Sequence, residues 1–312
     1  MDSNRDQQGT RRPMRGARSR VLEPRSLAGQ VGALLLLLLP TTSFAVPPLE
    51  TLWLTPDSTL SLSNIEVRDQ QAVADDLGGA LTTVSLGSLP EDSALDALHA
   101  SPDGTVLFSL ESWADLGGLP TAPADLVSWD GSSYSIAFDS RANGIPAGVD
   151  VDAATTDGDE LLLSFDTFAD LPGGPYGDDD VVRWDGAAFS LAFDGSAAGV
   201  PAALDIDGVH LLSNGLWLIS FDAHGEVGGI ALADEDVVVH DPGSGSWEMF
   251  YDASAVDPAW TAADAKALTV GEAPNILEIP TLSPFGLLLL AVILTLAAGA
   301  ILGRRHRPTP KL

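Results

Sequence analysis

The sequence predicts an all-β fold, a small β-propeller of about four blades. Two observations carry this prediction: a unit of about 55 residues recurs along the middle of the chain, and each unit reads as four short strands joined by turns. A third observation is that the last apolar segment of the repeat region resembles the first strand of a unit. The repeats are flanked by a predicted N-terminal signal peptide and by one predicted C-terminal transmembrane helix.

The repeat is visible in motifs that recur in one order. Ser109-Leu110-Glu111 recurs as Ser164-Phe165-Asp166 and as Ser220-Phe221-Asp222, at spacings of 55 and 56 residues. Trp129-Asp130-Gly131 recurs likewise as Trp184-Asp185-Gly186. A fixed period of this length is typical of proteins built from copies of one supersecondary unit. The predicted repeat domain covers residues 46–270, with units near 52–95, 96–149, 150–204 and 205–263.

Strand and turn signals alternate within each unit. In the unit 150–204, residues 161–165 form a nearly continuous apolar run, as expected for a strand buried on both faces. Residues 181–184 and 188–193 are joined by Asp185-Gly186, a hairpin signal. Four strands per unit are the pattern of a propeller blade.

The first unit is degenerate, and its missing strand is expected from the far end of the repeat region. Residues 55–63 match residues 101–109, whereas Ala263-Asp264-Ala265 and Leu268 resemble the first strand of another unit. Pairing of this late strand with the early residues would close the ring and leave no sheet edge open. The alternative is an open stack or sandwich of β-meanders built from the same units.

Residues 1–45 are predicted to be a signal peptide. Seven arginines precede the apolar run 31–39, and Ser43-Phe44-Ala45 offers small residues for cleavage after Ala45. The apolar run is too short for a transmembrane helix. Either Met1 or Met14 is the initiator.

The residues between the two ends are strongly acidic. Residues 46–278 hold 41 acidic side chains and four basic ones, about −37 formal charges. Such a surface repels phosphate backbones, which argues against nucleic acid as a partner. It favours divalent cations, basic partners or simply solubility. Because the chain has no cysteine, thiol nucleophiles and thiolate metal sites are excluded.

The chain ends in an apolar run followed by a basic cluster. None of the 17 residues from Gly286 to Leu302 can ionise, and a helix of this length spans roughly 25 Å, enough to cross a bilayer core with slight thinning. The basic residues Arg304, Arg305 and Arg307 are expected to stay on the cytoplasmic side. The sequence therefore predicts a transmembrane helix over 286–302, preceded by a linker at 271–278.

A short motif stands just before this helix. It consists of Ile279, Pro280, Thr281, Leu282, Phe285 and Gly286. With the helix and the basic end, these residues resemble the IPTL-CTERM protein-sorting domain of Gram-negative bacteria, whose pattern is Ile-Pro-Thr-Leu-x-x-Trp-Gly. Phe285 stands where the family has tryptophan.

The resemblance implies the partner and the route of this chain. An exosortase-type membrane enzyme is expected to recognise the tail, residues 279–312, and to remove it during export. The precursor would be anchored in the inner membrane, and the product would reach the cell surface or the medium. The alternative is an ordinary C-terminal membrane anchor.

Carboxylates recur in register and are expected to form rings on the folded domain. Glu111, Asp166 and Asp222 follow one strand of each unit. Calcium binds clustered carboxylate oxygens, so the sequence suggests Ca²⁺ as a cofactor at the densest clusters. Those clusters contain Asp150, Asp152, Asp178, Asp179 and Asp180. The alternative is that aspartates at turns accept hydrogen bonds from backbone N–H groups.

The sequence offers little support for catalysis. The four histidines of the repeat domain, His99, His210, His224 and His240, are predicted not to share one repeat position, and no nucleophile elbow, zinc-protease helix or phosphate loop is present. The expected function is therefore a binding or scaffold module outside the cell, with an unidentified ligand. The alternative is a propeller hydrolase that uses carboxylates in a central cleft.

Overall fold

The computed structural model describes residues 49–63 and 65–272. The described part is built almost entirely of short strands. In chain order they are β1 (Leu49–Pro56), β2 (Leu60–Leu62), β3 (Ile65–Val67), β4 (Ala72–Asp75), β5 (Leu81–Val84), β6 (Leu95–Ala100), β7 (Val106–Leu110), β8 (Ala114–Asp115), β9 (Pro120–Thr121), β10 (Leu126–Trp129), β11 (Tyr134–Phe138), β12 (Val151–Asp157), β13 (Glu160–Phe165), β14 (Ala169–Leu171), β15 (Gly174–Tyr176), β16 (Val181–Trp184), β17 (Phe189–Phe193), β18 (Ile206–Leu211), β19 (Trp217–Phe221), β20 (Gly225–Val227), β21 (Ile230–Leu232), β22 (Val237–Asp241), β23 (Ser246–Tyr251) and β24 (Ala265–Glu272). The helical segments are α1 (Gly195–Ala198), α2 (Ala253–Val256) and a 3₁₀ turn (Pro258–Ala262).

Four antiparallel sheets of four strands form the blades. Their strand orders are β24-β1-β4-β5, β6-β7-β10-β11, β12-β13-β16-β17 and β18-β19-β22-β23. We call them the first to the fourth blade. Each blade carries a small two-stranded hairpin between its second and third strands, namely β2-β3, β8-β9, β14-β15 and β20-β21. The all-β, four-bladed propeller expected from the repeat is thus confirmed.

The inner strands β6, β12, β18 and β24 surround the propeller axis. Each of them contacts the inner strands of both neighbouring blades. The ring closes through β24, which pairs antiparallel with β1 from Leu49↔Glu272 to Pro56↔Ala265. The predicted closure is therefore confirmed, and the open stack of meanders is not adopted. All four inner strands run in the same direction along the axis, so the axis has one end where they begin and one where they finish.

Apolar side chains fill the spaces between neighbouring blades. Leu126 and Phe138 of the second blade, for example, pack in one cluster with Leu163 and Phe165 of the third. Such a layer separates every adjacent pair of blades. Because each layer needs side chains from two units, one unit cannot bury its apolar surface alone.

Aspartates close the outer hairpin turns. Asp130 Oδ1 accepts hydrogen bonds from the backbone N–H groups of Ser132 and Ser133, both at 2.8 Å. Gly131 follows with φ +89°, a conformation that only glycine adopts without strain. Hydrogen bonds from both serines hold the pKa of Asp130 at about 2. The turn-capping alternative raised by the sequence is confirmed at this position.

Several predicted features lie outside the described residues. They are the signal peptide 1–45, the sorting motif with its transmembrane helix 286–302, and the arginines behind it. Within residues 49–63 and 65–272, no helix has the length and hydrophobicity needed to cross a membrane.

Candidate functional site

A β-bulge interrupts the start of every inner strand. The pairing register shifts between Leu95 and Leu98 on β6, between Val151 and Ala153 on β12, and between Ile206 and Gly208 on β18. On β24 the shift falls between Ala265 and Ala267. The residues inside these shifts include Asp96, Asp152, Asp207 and Lys266. A bulge takes a residue out of the ladder and redirects its side chain, so four equivalent positions bring three carboxyls and one ammonium group together.

A second ring lies just before the bulges. The residue after the second strand of each blade donates its backbone N–H to a carbonyl oxygen just before the bulge, at 3.0–3.2 Å. The donors are Asp57, Glu111, Asp166 and Asp222, and their acceptors are Asp264, Ala94, Asp150 and Asp205 in the same order. Asp150, Asp205 and Asp264 therefore occupy equivalent positions. Around them lie Asp57, Glu111, Asp166 and Asp222, which we call the rim. We call the bulge residues with Asp150, Asp205 and Asp264 the axial cluster. The predicted ring of Glu111, Asp166 and Asp222 is confirmed, and Asp57 completes it.

The rim carboxylates are structural caps in three of the four blades. Asp166 Oδ1 accepts the backbone N–H of Asp150 at 2.7 Å, and Asp222 Oδ1 accepts that of Asp205 at 2.8 Å. Asp57 Oδ1 does the same for Asp264 at 3.1 Å. These bonds fix the bulged ends of the inner strands and so position the cluster.

Lys266 supplies the positive charge of the axial cluster. Its Nζ lies 2.9 Å from Asp96 Oδ1 and 3.0 Å from Glu111 Oε1. Burial lowers the pKa of Lys266, but the two carboxylates outweigh that effect and raise it. Burial raises the pKa of Asp96, and the ammonium group works against that rise. This pair is the ion pair of the axial cluster, with Asp96 buried and the Lys266 side chain 18% exposed.

Asp152 and Asp207 have no such counterion. Asp207 is 5% exposed, and burial followed by the charges of Asp264 and Asp152 raises its pKa to about 11. Asp152 is 7% exposed, and burial followed by the charge of Asp96 raises its pKa to about 9. Both side chains hold protons at neutral pH because burial disfavours their charged form and their charged neighbours are mostly other carboxyls.

The three cluster members that lie just before the bulges, Asp150, Asp205 and Asp264, show the same pattern with smaller pKa shifts. Burial and neighbouring carboxylates raise the pKa of Asp150 to about 6, of Asp264 to about 7 and of Asp205 to about 8. Oδ1 of Asp205 and Oδ1 of Asp264 are sealed from solvent and have no hydrogen-bond partner in the described part of the chain. A cation that displaced the protons would satisfy these oxygens and relieve the repulsion.

Of the residues nominated for calcium from the sequence, only two belong to the axial cluster. Asp150 and Asp152 belong to the axial cluster. Asp178 lies close enough to Asp205 to raise its pKa. Asp180, in contrast, caps a turn, with Oδ2 accepting the backbone N–H of Gly177 at 2.8 Å. Within residues 49–63 and 65–272, no three or more acidic or histidine side chains are arranged so that they could hold a metal ion as they stand, and calcium at these residues stays a prediction.

Sequence reasoning missed five members of the cluster: Asp96, Asp205, Asp207, Asp264 and Lys266. The signal was present, because Asp96, Asp152 and Asp207 are spaced by 56 and 55 residues, the period of the repeat. Lys266 escaped notice because it comes from the strand that closes the ring.

The opposite end of the axis carries two histidines, His99 and His210. His99 and His210 pair with Leu107 and Leu218 on the second strands of their blades, so they do occupy one repeat position. The prediction that the histidines share no repeat position was wrong for these two residues. Their rings stack across the axis with centroids 5.5 Å apart and planes 20° apart. A cavity of ≈ 800 Å³ opens above them, lined by the ends of all four inner strands.

Comparisons with known proteins bear on the fold alone. No family model and no curated protein matches the chain. Among solved structures, the extracellular domain of a one-component system from B. thetaiotaomicron matches at a TM-score of 0.31 and 11% identity, covering 68% of this chain and 36% of that one. YCF48 bound to D1 peptide matches at 0.25 and 10%, covering 68% and 62%.

A third similar structure is an inactive virginiamycin B lyase from Staphylococcus aureus with quinupristin. It matches at a TM-score of 0.30 and 10% identity, covering 65% of this chain and 71% of that one. Likeness this distant carries no information about ligand or activity. The chain also spans only 36% and 62% of the first two structures.

Proposed function

We propose that this protein is an exported binding module whose acidic axial end receives a cationic ligand. The observation that carries the proposal is the convergence of six carboxyls and a single lysine in the axial cluster. Asp152 and Asp207 remain neutral there only by holding protons. A cation that replaces the protons on buried carboxyls is bound favourably, because its positive charge compensates the negative charges that the carboxylates then carry.

Exposed aromatic side chains support a cationic ligand at the same end. Trp113 is 74% exposed and Phe168 is 60% exposed. Each stands two residues after a rim carboxylate, Glu111 and Asp166 respectively. Aromatic faces attract cations and are enriched where proteins bind partners. The rim therefore offers negative charge and aromatic surface together, which suits a basic partner as well as a metal ion.

Calcium is the simplest cation with which to test the proposal. We expect added CaCl₂ to raise the melting midpoint of the full-length chain at pH 8, because a ligand of the folded state stabilises it by mass action. The increase should be smaller at pH 5.5, where protons compete for the same carboxyls. Thermal melts in CaCl₂, in EDTA and in NaCl of equal ionic strength provide the measurement. Identical midpoints in all three solutions would remove calcium from the account.

We further propose that the tail is a sorting signal of the IPTL-CTERM type, processed by an exosortase-type enzyme. The support is the motif Ile279-Pro280-Thr281-Leu282 in front of an apolar run and a basic stop. β24 runs from the axial cluster toward the histidine end and finishes at Glu272.

The motif can be tested by substitution. Ile279→Ala/Pro280→Ala is expected to leave the full-length chain in the membrane fraction, because the processing enzyme no longer recognises it. Ser283→Ala, at a position that the motif leaves free, is expected to be processed like the native chain. Fractionation with mass determination of the mature C-terminus provides the readout. Equal processing of the double variant and the native chain would reduce the tail to a plain anchor.

The hydrolase alternative has one observation in its favour. Asp152 and Asp205 have raised pKa values, of about 9 and about 8, beside rim carboxyls, and carboxyls of differing pKa can serve as acid and base. However, Asp152 is only 7% exposed, so a glycosidic bond in a polymer cannot reach this member of the pair. The geometry therefore favours binding over hydrolysis.

A further inference from the structure

The histidine end of the axis is built as a ring of four side chains. His99, Thr155, His210 and Thr269 occupy equivalent positions of the four inner strands, opposite Leu107, Leu162, Leu218 and Trp53. Thr155 Oγ1 lies 3.2 Å from His99 Nδ1, and Thr269 Oγ1 lies 3.2 Å from His210 Nδ1. Each histidine is thus held by a threonine of the neighbouring blade, and the ring closes the axis below the cavity.

The hydrogen bonds assign the proton on His210. Thr269 is fully buried and its Oγ1 already accepts the backbone N–H of Ala100 at 3.0 Å, so donating its own hydroxyl proton to His210 Nδ1 is the arrangement that leaves neither group unpaired. Burial lowers the pKa of His210 to about 3, and the ring is neutral at pH 7. A neutral imidazole that accepts at Nδ1 carries its proton on Nε2. The donor at Nε2 has no partner within the described residues, although His210 is 95% buried.

The second histidine differs from the first. His99 Nε2 lies 3.1 Å from Thr156 Oγ1, so both of its ring nitrogens have partners. Burial lowers its pKa to about 4, so it too is neutral. His210 Nε2–H is therefore the one imidazole donor of this ring that is left for a molecule in the cavity, within the part of the chain that the structure describes.

The cavity walls combine hydroxyl groups with apolar surface. Thr51, Ser101, Thr105 and Thr156 contribute hydroxyls, whereas Trp53, Val106, Leu211 and Val270 contribute apolar surface. Trp53 is fixed by a 2.9 Å hydrogen bond from Nε1 to Thr51 Oγ1. A volume of ≈ 800 Å³ lies within the range of small-molecule sites. Hydroxyls both donate and accept, and an indole offers a flat apolar face.

Charge narrows the class of ligand. No lysine or arginine is found among the described residues that line the cavity. The lining carboxylate, Asp157, is already paired with Arg183 at 2.9 Å. An anion would find no counterion here and would be repelled by the acidic protein. A wholly apolar molecule would leave the Nε2–H and the hydroxyls unpaired, which is costly.

We propose that this cavity is a second binding site, distinct from the axial cluster, and that it takes an uncharged hydroxylated molecule of mono- or disaccharide size. A ligand hydroxyl accepts the Nε2–H of His210, the threonine and serine hydroxyls bind the other oxygens, and Trp53 covers an apolar face of the sugar ring. The two ends of the axis then bind ligands of opposite chemistry.

The test uses the full-length chain and a panel of named probes. Glucose, galactose, N-acetylglucosamine, maltose and cellobiose are titrated while tryptophan fluorescence and heat are recorded, with glucuronate as the charged counterpart. We expect at least one neutral sugar to bind saturably and glucuronate to bind at least tenfold more weakly than glucose. If no neutral sugar binds, or if glucuronate binds as well as glucose, the proposal is overturned.

Variants locate the binding. His210→Phe keeps a flat ring but removes the Nε2–H donor, and we expect it to weaken sugar binding at least tenfold. Ser101→Trp, which fills the mouth of the cavity without changing its floor, is expected to abolish binding even if His210→Phe does not fold. His224→Phe, the same exchange at an exposed histidine, should bind like the native chain. Unchanged binding in Ser101→Trp would place the sugar elsewhere and refute the assignment, whatever the outcome of the calcium melts.

Discussion

Replacing Lys266 by methionine is expected to lower the free energy of unfolding by about 3 kcal/mol, which corresponds to a midpoint roughly 6–12 °C lower. Lys266 Nζ is the counterion of Asp96, whose exposed fraction is 3%. Methionine preserves the length of the side chain and its apolar contacts, so the loss reports the charge. Without the ammonium group, Asp96 must stay ionised and unpaired or take up a proton among other carboxyls.

Two further variants make this prediction specific. Arg68→Met removes a positive charge from the same domain, but the Arg68–Glu66 pair is mostly exposed, so its loss should change stability by no more than about 0.5 kcal/mol. Adding Asp96→Asn to Lys266→Met should recover part of the stability, since the stranded carboxyl is then gone. Thermal melts of the four proteins provide the measurement. Equal midpoints for Lys266→Met and the native chain would mean that the axial ion pair is not part of the stabilising structure.

The stability of the folded chain is expected to fall as pH rises from 5 to 9. In the folded state five carboxyls have pKa values raised from an ordinary 3.8 to about 6, 7, 8, 9 and 11; they are Asp150, Asp264, Asp205, Asp152 and Asp207. At a pH between the pKa of a carboxyl in the unfolded chain and its pKa in the folded chain, the folded state holds a proton that the unfolded state has lost. The stabilising contribution of these protons is therefore present at low pH and disappears as pH rises.

The buried histidines His99 and His210 change stability in the opposite direction over a narrower pH range. Their pKa values are lowered from 6.5 to about 4 and about 3, so they favour folding as pH rises toward 6.5 and contribute no slope above it. Above pH 7 the carboxyls alone set the slope. Each proton held only by the folded state lowers the free energy of unfolding by about 1.4 kcal/mol per pH unit.

Melting midpoints between pH 5 and 9 at constant ionic strength check this prediction. We expect the melting midpoint to fall by about 3–6 °C per pH unit for each proton that the folded state binds in excess of the unfolded state. Asp207→Asn should flatten the curve above pH 7 because an amide does not titrate. Asp130→Asn, at an exposed turn where the pKa of the carboxyl is about 2, should leave the slope unchanged. A midpoint that rises from pH 7 to 9 would contradict the protonated cluster.

The fold was largely predictable because the repeat contains residues with clear preferences for turns and strands. Asp130-Gly131 and Asp185-Gly186 mark equivalent hairpins. The spacing between them gives the length of one unit, and that length gives the number of blades. The closing strand was also readable, since Leu268 and its neighbours match the first strand of a unit. Propensity and spacing act locally, so one sequence suffices to see them.

The site was less predictable because bulges decide which side chains reach the axis. Asp152 was selected for its local density of carboxylates, whereas Asp96 and Asp207 stand in less acidic surroundings and were passed over. Superposing the units on their 55-residue period would have aligned all three, and would also have aligned His99 with His210. Lys266 comes from the strand that crosses the closure, and only the β1–β24 pairing places it in the ring.

A calorimetric titration with CaCl₂ at pH 8 tests the central claim most directly, namely that the axial cluster exchanges protons for a cation. The native full-length chain should bind calcium and release protons, so the measured heat should change between buffers of different ionisation enthalpy. Asp152→Asn/Asp207→Asn should lose this binding, whereas Asp130→Asn should retain it. Calcium binding that is unchanged in the double variant, or the absence of any binding heat and any proton release in the native chain, would contradict the account.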